Sequence, residues 1–363
     1  MRNKRLLVNL IVILSLALMV IPVLAACSKT TPTTPTTPTT PKPETPKPET
    51  KEILIRVTTP VPPGDTMVEW AQEGMDRFNA RSNGAYKMQL FPGGQLAAFP
   101  ESMDAIRTGS IEAGMIPLAA FGGTVPEFGL PELPFIWASD RANDYAMPQL
   151  QEVFSPLLEE KANQTSVGCF TVGTLNILSK KQIKTLEDLQ GLIVGCDTPP
   201  MAELIKALGG SGIIVDFTED YSSLQKGVID AKTCAPPYIL IAKLYEAAKY
   251  YTTFHALGTL YSFDINLDVY NAMPSDIQLA LNEEMAATAA FMSTGFVNLY
   301  YELQDDLVDK GVVIYHITSA ERDRWKDLAY PTTLAIIDQF GDIGKKVKQI
   351  ADEANAKFPY KAE

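Results

Sequence analysis

The chain has 363 residues, 46% of them hydrophobic and 20% charged, which is typical of a folded protein large enough for two ordinary domains. It carries 31 Lys and Arg against 43 Asp and Glu, a formal net charge of −12. This balance argues against a nucleic-acid partner, because phosphate binding requires a basic surface.

The N-terminal segment has the layout of a bacterial lipoprotein signal peptide over residues 1–26. Arg2, Lys4 and Arg5 precede an apolar run, and small residues then lead to Cys27. Cleavage before Cys27 would allow its acylation, so the sequence predicts an extracytoplasmic protein anchored to membrane lipid through Cys27. The alternative is an uncleaved transmembrane helix, although the run is near the lower length limit for spanning a bilayer.

The next segment, 27–51, changes to Thr, Pro, Lys and Glu and repeats the motif Pro-Lys-Pro-Glu-Thr. Such a composition cannot bury a core, and proline favours an extended backbone of about 3.1 Å per residue. We therefore expect a tether over 27–51 that holds a folded region, 52–363, away from the lipid.

The first part of the folded region alternates strand and helix. In chain order the pattern predicts a strand over 53–58, a helix over 66–81, a strand over 86–91, a helix over 100–108 and a strand over 114–117. This order favours a parallel sheet covered by helices, that is, an α/β fold.

A second α/β set follows. It comprises a strand over 165–172, a helical turn over 185–189, a strand over 192–196, a helix over 200–208, alternating strand-like stretches over 213–217, 221–226 and 231–234, and a helix over 238–247. The last part comprises a strand-like stretch over 259–266, a helix over 275–310, a strand over 312–316, and helices from 319 and over 343–357. The helix over 275–310 would be roughly 50 Å long, so we expect it to lie across both halves.

Signatures of catalysis are weak. His255 and His316 are the only histidines, and neither has a partner at metal-ligand spacing. We find neither a glycine-rich phosphate loop nor a Gly-x-Ser-x-Gly motif. We therefore expect no metal, no cofactor and no enzymatic activity. The layout fits a two-lobed protein that closes on a ligand in its cleft.

Five segments carry a family resemblance when they are taken in order. They are LFPGGQL at 90–96, AIRTG at 105–109, LPF at 133–135, IKTLEDLQG at 183–191 and YSSLQKGVID at 221–230. Together they resemble the solute-binding subunits of tripartite ATP-independent periplasmic (TRAP) transporters, of the dicarboxylate-binding type, over nearly all of 52–363.

The resemblance implies a two-lobed periplasmic-binding-protein-like α/β fold with a long helix spanning both lobes. Lobe 1 would comprise about 52–168 plus parts of 262–363, and lobe 2 about 169–261 plus the rest. The cleft would take a small organic solute, in this family an acid, and deliver it to TRAP-type membrane permease subunits.

The sequence departs from the family where a ligand carboxylate would be held. Gly195 stands where an arginine usually forks onto the carboxylate, and Cys234 stands at the position of a usual asparagine. Another arginine that the family often carries is also missing, from 173–176. A buried carboxylate needs a cationic partner. Either Lys232 or another basic group therefore replaces the missing arginine, or the ligand is neutral, or its anionic group lies elsewhere in the site.

The candidate ligand-binding residues are Trp137, Phe170, Tyr221, Lys232, Cys234 and Tyr238. Each aromatic residue could equally belong to the core, and Lys232 could be a surface lysine. The cysteines Cys169, Cys196 and Cys234 are either buried thiols or include one disulfide, for which Cys196 and Cys234 are the candidates. Two rival functions stay open, namely a receptor that serves a sensor or another transporter class, and a surface-anchored hydrolase that uses a carboxylate pair.

Overall fold

A computed structural model describes residues 52–361. The predicted signal peptide, the predicted tether and Cys27 lie outside the described residues. Within them, no helix is both long enough and apolar enough to cross a membrane.

Eleven strands and eleven α-helices make up the described chain. The strands are β1 (Ile53–Thr58), β2 (Tyr86–Phe91), β3 (Ala113–Pro117), β4 (Gln164–Phe170), β5 (Leu175–Ser179), β6 (Ile193–Cys196), β7 (Ser211–Ile214), β8 (Ala231–Cys234), β9 (Tyr250–Leu257), β10 (Tyr261–Asn266) and β11 (Val313–His316). The helices are α1 (Thr66–Arg81), α2 (Ser102–Arg107), α3 (Asp140–Ala162), α4 (Leu186–Leu189), α5 (Pro199–Ala207), α6 (Asp220–Lys226), α7 (Pro236–Ile241), α8 (Leu267–Asn271), α9 (Ser275–Asp309), α10 (Ser319–Gln339) and α11 (Gly341–Lys357). Four 3₁₀ helices, Phe99–Glu101, Leu118–Phe121, Pro126–Glu132 and Leu244–Glu246, complete the set.

The strands form two separate sheets, one in each lobe. The first has the order β2-β1-β3-β10-β4 and the second the order β11-β9-β5-β8-β6-β7. In the first sheet β1, β2 and β3 run parallel, while β10 is antiparallel to both β3 and β4. Strands β3 and β4 are buried along their whole length, as expected for strands covered on both faces.

Two short crossings join the sheets. The chain passes from β4 to β5 through residues 171–174, and it returns from β9 to β10 through residues 258–260. The Thr171 and Thr259 hydroxyls lie 2.7 Å apart, and the Thr259 hydroxyl also donates to the Gly173 carbonyl. These bonds hold the two crossings side by side between the lobes.

Helix α9 spans both lobes, as the sequence predicts. Its first part, from Ile277 to Phe296, packs into the core that covers the first sheet. Tyr300 and Leu307, further along, belong to a core of the second sheet. The prediction of a helix over 275–310 is therefore confirmed, as is the two-lobed α/β fold.

Three expectations about local structure are wrong. The stretch 221–226 belongs to helix α6 rather than to a strand, and the helix predicted over 238–247 stops at Ile241, because Lys243 adopts a φ of 54° before a 3₁₀ turn. The disulfide candidate also fails, since all three described cysteines are free and buried. Because Gly195 pairs with Lys232, Cys196 and Cys234 project from opposite faces of the second sheet.

Candidate functional site

A narrow cleft, open to solvent at its mouth, lies between the two sheets. Its walls come from segments that follow the carboxyl ends of β1, β3, β6 and β8 and from the two crossings, with α9 contributing one side chain. Ligands in α/β proteins bind at the carboxyl ends of parallel strands. The lining residues are Val61, Pro62, Asp65, Met67, Pro117, Glu132, Val172, Leu175, Asp197, Thr198, Met201, Phe217, Cys234, Ala235, Pro237, Tyr238, Thr259, Tyr261 and Phe296.

Three carboxyl groups line this cleft. Asp65 caps α1, since its Oδ1 accepts the Met67 N–H at 2.8 Å. Glu132, only 1% exposed, accepts the Thr198 hydroxyl at 2.8 Å and the Leu260 N–H at 3.3 Å. Asp197 follows β6 and is 12% exposed.

Burial changes the acidity of two of these groups. It raises the pKa of Glu132 to about 8, although the bonds from Thr198 and Leu260 oppose the change. Burial also raises the pKa of Asp65, against the effect of the Met67 N–H. The cleft therefore contains carboxyl groups that hold protons more tightly than usual. These groups would lose their protons when a cation binds beside them.

Lys232 lies directly behind the cleft and is fully buried. Its Nζ pairs with Asp197 and lies 3.1 Å from Asp220 Oδ1, with the Phe217 ring centroid at 5.6 Å. Burial alone would lower the pKa of Lys232, but the Asp197 and Asp220 carboxylates raise it above its usual value. The ammonium group is thus neutralised inside the protein by two carboxylates.

The glycine at position 195 explains where this lysine lies. Gly195 and Lys232 are paired in the β6–β8 ladder, so their side chains share one face of the sheet. A β carbon at Gly195 would lie 3.3 Å from Lys232 Cδ and 2.9 Å from Ile229 Cδ1. The lysine stem therefore fills the space into which a side chain at 195 would project.

Helices that begin at the cleft offer few free amide donors. The first turns of α5 and α7 open with Pro199-Pro200 and Pro236-Pro237, and proline has no N–H. The first turn of α1 already donates to the carboxylate of Asp65. These helix starts therefore lack much of what makes a helix N-terminus attractive to anions.

Aromatic rings form much of the remaining wall. Phe217 and Tyr238 meet edge to face at 5.5 Å, and the Tyr238 hydroxyl lies 2.9 Å from Asp220 Oδ2 and from the Phe217 carbonyl oxygen. On the side of the first sheet, Tyr261 and Phe296 line the cleft. A ligand would thus lie among aromatic side chains and carboxyl groups.

The structure brings three of the predicted site residues together at the cleft. Cys234 and Tyr238 line it, and Lys232 lies behind it. Burial raises the pKa of the Cys234 thiol well above its usual value, so this cysteine presents a neutral group. Ligand contact by these residues stays a prediction.

The other three predicted residues lie elsewhere in the structure. Phe170 is fully buried and stacks at 5.4 Å on Tyr261, so it lies one layer behind the wall. Trp137 is buried and its Nε1 donates to the Pro131 carbonyl. The Tyr221 hydroxyl bonds Glu246 Oε2 near the surface. None of these three is among the lining residues.

Sequence reasoning missed the carboxyl groups. Asp65 could have been found as the residue that caps a helix after a Pro-Pro-Gly turn, and Asp197 as an acid at the end of a strand. Glu132 gives no such signal, because it lies in a 3₁₀ segment that only the tertiary fold places at the cleft.

A two-lobed α/β protein with an aromatic, carboxyl-lined cleft belongs to the class of ligand-binding receptors. The family model of bacterial extracellular solute-binding proteins, family 7 (DctP), matches residues 57–339. The chain belongs to this family, and the resemblance to TRAP solute-binding subunits is confirmed.

Individual relatives agree with this assignment. The C4-dicarboxylate-binding periplasmic protein DctP of Rhodobacter capsulatus is 23% identical over 298 residues, 80% of this chain and 88% of that protein. The uncharacterised protein YiiZ of Salmonella typhimurium is 30% identical over 176 residues, 47% of this chain and about half (54%) of its own length. The crystal structure of DctP7, an extracytoplasmic solute receptor from Bordetella pertussis that binds pyroglutamic acid, superposes with a TM-score of 0.78 at 17% identity, over 82% of this chain and 99% of that one.

Proposed function

We propose that this protein is the extracytoplasmic receptor of a TRAP-type transporter, which captures a small organic solute between its two lobes and delivers it to membrane permease subunits. The observation that carries the proposal is the cleft itself, to which both sheets and both crossings contribute residues. Closure of two lobes about short crossings is a common way to enclose a ligand.

The receptor would act by binding and release rather than by catalysis. Among residues 52–361 no group of three or more His, Cys, Asp and Glu side chains is arranged to hold a metal ion. The lysine behind the cleft, Lys232, is engaged by Asp197 and Asp220. We also propose that acylated Cys27 anchors the protein to the membrane.

Ligand binding is tested by a thermal unfolding screen of the purified protein against small carboxylates, amines, amino acids and polyols. A ligand that binds the native state raises the unfolding midpoint in proportion to the logarithm of its concentration. Recovery of the bound compound unchanged after long incubation supports a receptor, whereas turnover would indicate an enzyme. The absence of any midpoint shift across all classes would contradict the proposal.

Anchoring is tested separately in cells. Cys27→Ser should move the protein from the membrane fraction to the soluble extracytoplasmic fraction if the leader is otherwise cleaved, or leave it uncleaved in the membrane. Normal processing of the Cys27→Ser variant with unchanged membrane retention would show that lipid on Cys27 is not the anchor.

A further inference from the structure

We propose that the ligand of this cleft is a small organic amine, whose positive charge is attracted by the carboxyl groups of Asp65, Glu132 and Asp197 in the cleft wall. The inference rests on the proposed receptor function and names its ligand class. An amine differs in charge from the carboxylates that are named as ligands of the relatives.

Where the wall of the cleft carries an ionisable side chain of the Asp, Glu, Lys, Arg or His type, that side chain is acidic. Among the described residues, those that form its wall include three carboxyl groups and no Lys, Arg or His side chain. The nearest cation, Lys232, already faces Asp197 and Asp220, so two carboxylates share one positive charge. A carboxylate ligand would enter this site without a cationic partner, which is costly in a closed cleft.

The backbone does not supply the missing attraction for an anion. Helices α5 and α7 present consecutive prolines where N–H groups would otherwise point at the ligand. The first turn of α1 is capped by Asp65, which places a negative group in front of its amides. The cleft therefore offers hydrogen-bond acceptors where an anion site would offer donors.

An organic ammonium ion fits better than a metal ion or a neutral solute. The carboxyl groups are not grouped closely enough to hold a metal within 52–361. A neutral polyol would not favour the ionised forms of Asp65 and Glu132, whereas a nearby ammonium group would. The aromatic side chains of Phe217, Tyr238 and Tyr261 also line the wall, and aromatic rings are compatible with a cation.

Proton release should accompany the binding of an amine. Glu132 and Asp65 hold their protons more tightly than usual because they are buried, and a nearby ammonium group favours the ionised form of each. The affinity for an amine should therefore rise as pH increases towards 8, since most alkylamines stay protonated over this range. A carboxylate ligand would show the opposite trend, because protonated Glu132 could donate to it while ionised Glu132 would repel it.

The experiment compares matched compounds that differ in their end groups. Diamines, diols and dicarboxylates of equal chain length, represented by 1,4-diaminobutane, 1,4-butanediol and succinate, are titrated by calorimetry at several pH values. Amines should bind with an affinity that increases with pH, and the matched diols and dicarboxylates should not bind.

Asp65→Asn is the decisive variant, because asparagine caps a helix as well as aspartate does and the fold should persist. Loss of a charge-assisted hydrogen bond should weaken amine binding roughly tenfold or more. Glu69→Gln removes the same charge from an exposed position one turn along α1 and should bind as the unaltered protein does.

The outcomes separate this inference from the proposed function. Binding of diols or dicarboxylates without amines would overturn the amine assignment and leave the receptor function standing. Binding of amines that is equally strong in Asp65→Asn and in Glu69→Gln would also overturn the assignment, because it would show attraction by the overall negative charge. No binding by any class would count against both proposals.

Discussion

A single residue, Lys232, shows how one position changes the chemistry of the whole cleft. The lysine stem occupies the space beside Gly195, and its ammonium group pairs with Asp197 and Asp220. It therefore holds two acids in place instead of reaching towards a ligand. The cationic replacement that the sequence suggests at this position is present, but it is neutralised by its own neighbours.

Replacing that lysine should destabilise the fold. In Lys232→Met the carboxylates of Asp197 and Asp220 would lose their only cationic partner in a buried position. Removing one partner from a buried ion pair costs about 3–5 kcal/mol, which we expect as a loss in the free energy of unfolding by urea. Lys206→Met serves as the control, since that lysine is 73% exposed and pairs only with Glu203. Equal stability of the two variants would show that the buried pairing contributes little.

Glu132 should give the protein a measurable pH dependence of stability. Its pKa is about 8 in the folded state, against the ordinary value of 4.5. Between pH 4.5 and pH 8, Glu132 therefore keeps its proton in the folded protein and has lost it in the unfolded chain. This contribution to the free energy of unfolding is complete below about pH 4.5 and is lost as pH rises to 8. Glu132→Gln keeps an amide oxygen for the Leu260 N–H and removes the titration.

The measurement is urea unfolding of both proteins between pH 5 and pH 8. Stability should fall less steeply with rising pH in Glu132→Gln than in the unaltered protein. Because Asp264 and Asp220, each with a pKa raised by burial to about 7, contribute in the same range, the comparison uses the difference between the two proteins. Parallel curves would contradict a raised pKa for Glu132.

Sequence reasoning found only part of the site, because the residues that pair with Lys232 are far from it in the sequence. Lys232 and Tyr238 could be chosen because they stand at motif positions near Cys234. The acids that neutralise Lys232 come from two other elements, since Asp197 follows β6 and Asp220 begins α6. Only the folded sheet brings them to one ammonium group, so the pairing of that lysine with two acids could not be predicted.

At the scale of elements, the crossing between β9 and β10 is constrained by one glycine. A β carbon at Gly258 would lie 2.6 Å from Trp137 Nε1 and 3.2 Å from Asn143 Nδ2. Trp137 itself is fixed by its bond to the Pro131 carbonyl. The tryptophan proposed from sequence as a ligand contact thus packs directly against the backbone that links the lobes.

Gly258→Ala should therefore destabilise the protein by overpacking. We expect a loss of roughly 1–3 kcal/mol in the free energy of unfolding, because neither the indole nor the crossing has free space to move into. Gly123→Ala is the matched control, since a β carbon there meets no atom within 4 Å. If both variants unfold at the same urea concentration, the crossing is more adaptable than the packing indicates.

Elements with a regular pattern were predictable, while those that build the crossings were not. The periodicity of α9 extends over most of the helix that the structure shows, and the strands β1 and β2 fall where alternation places them. Helix α3 escaped prediction, and it contains Pro148 and Pro156, which usually interrupt helices. Strands β5 and β9 also escaped prediction because nearly every residue in them is buried, so no alternation marks them.

At the scale of the whole molecule, the acids of the cleft come from both lobes. Asp65 follows β1 of the first sheet, whereas Asp197 follows β6 of the second. Glu132 accepts a hydrogen bond from Thr198, the residue after Asp197. At pH values where Asp65 and Glu132 are ionised, which for Glu132 means above about 8, their charges and the charge of Asp197 oppose closure unless a cation lies between them. The same groups that would select an amine would thus also keep the empty receptor open.

This argument predicts that salt closes the empty protein. The screening length falls from about 30 Å at 0.01 M salt to about 3 Å at 1 M, so repulsion across the cleft should weaken and the radius of gyration should decrease. Small-angle X-ray scattering, extrapolated to zero protein concentration to remove repulsion between molecules, measures this change. In the double variant Asp65→Asn with Glu132→Gln, the radius of gyration should already be smaller at low salt and should change less as salt is added. The control Glu69→Gln should show the same salt dependence as the unaltered protein. An identical response in all three proteins would mean that the conformation of the empty receptor is set by the packing of the crossings and not by the charges of the cleft.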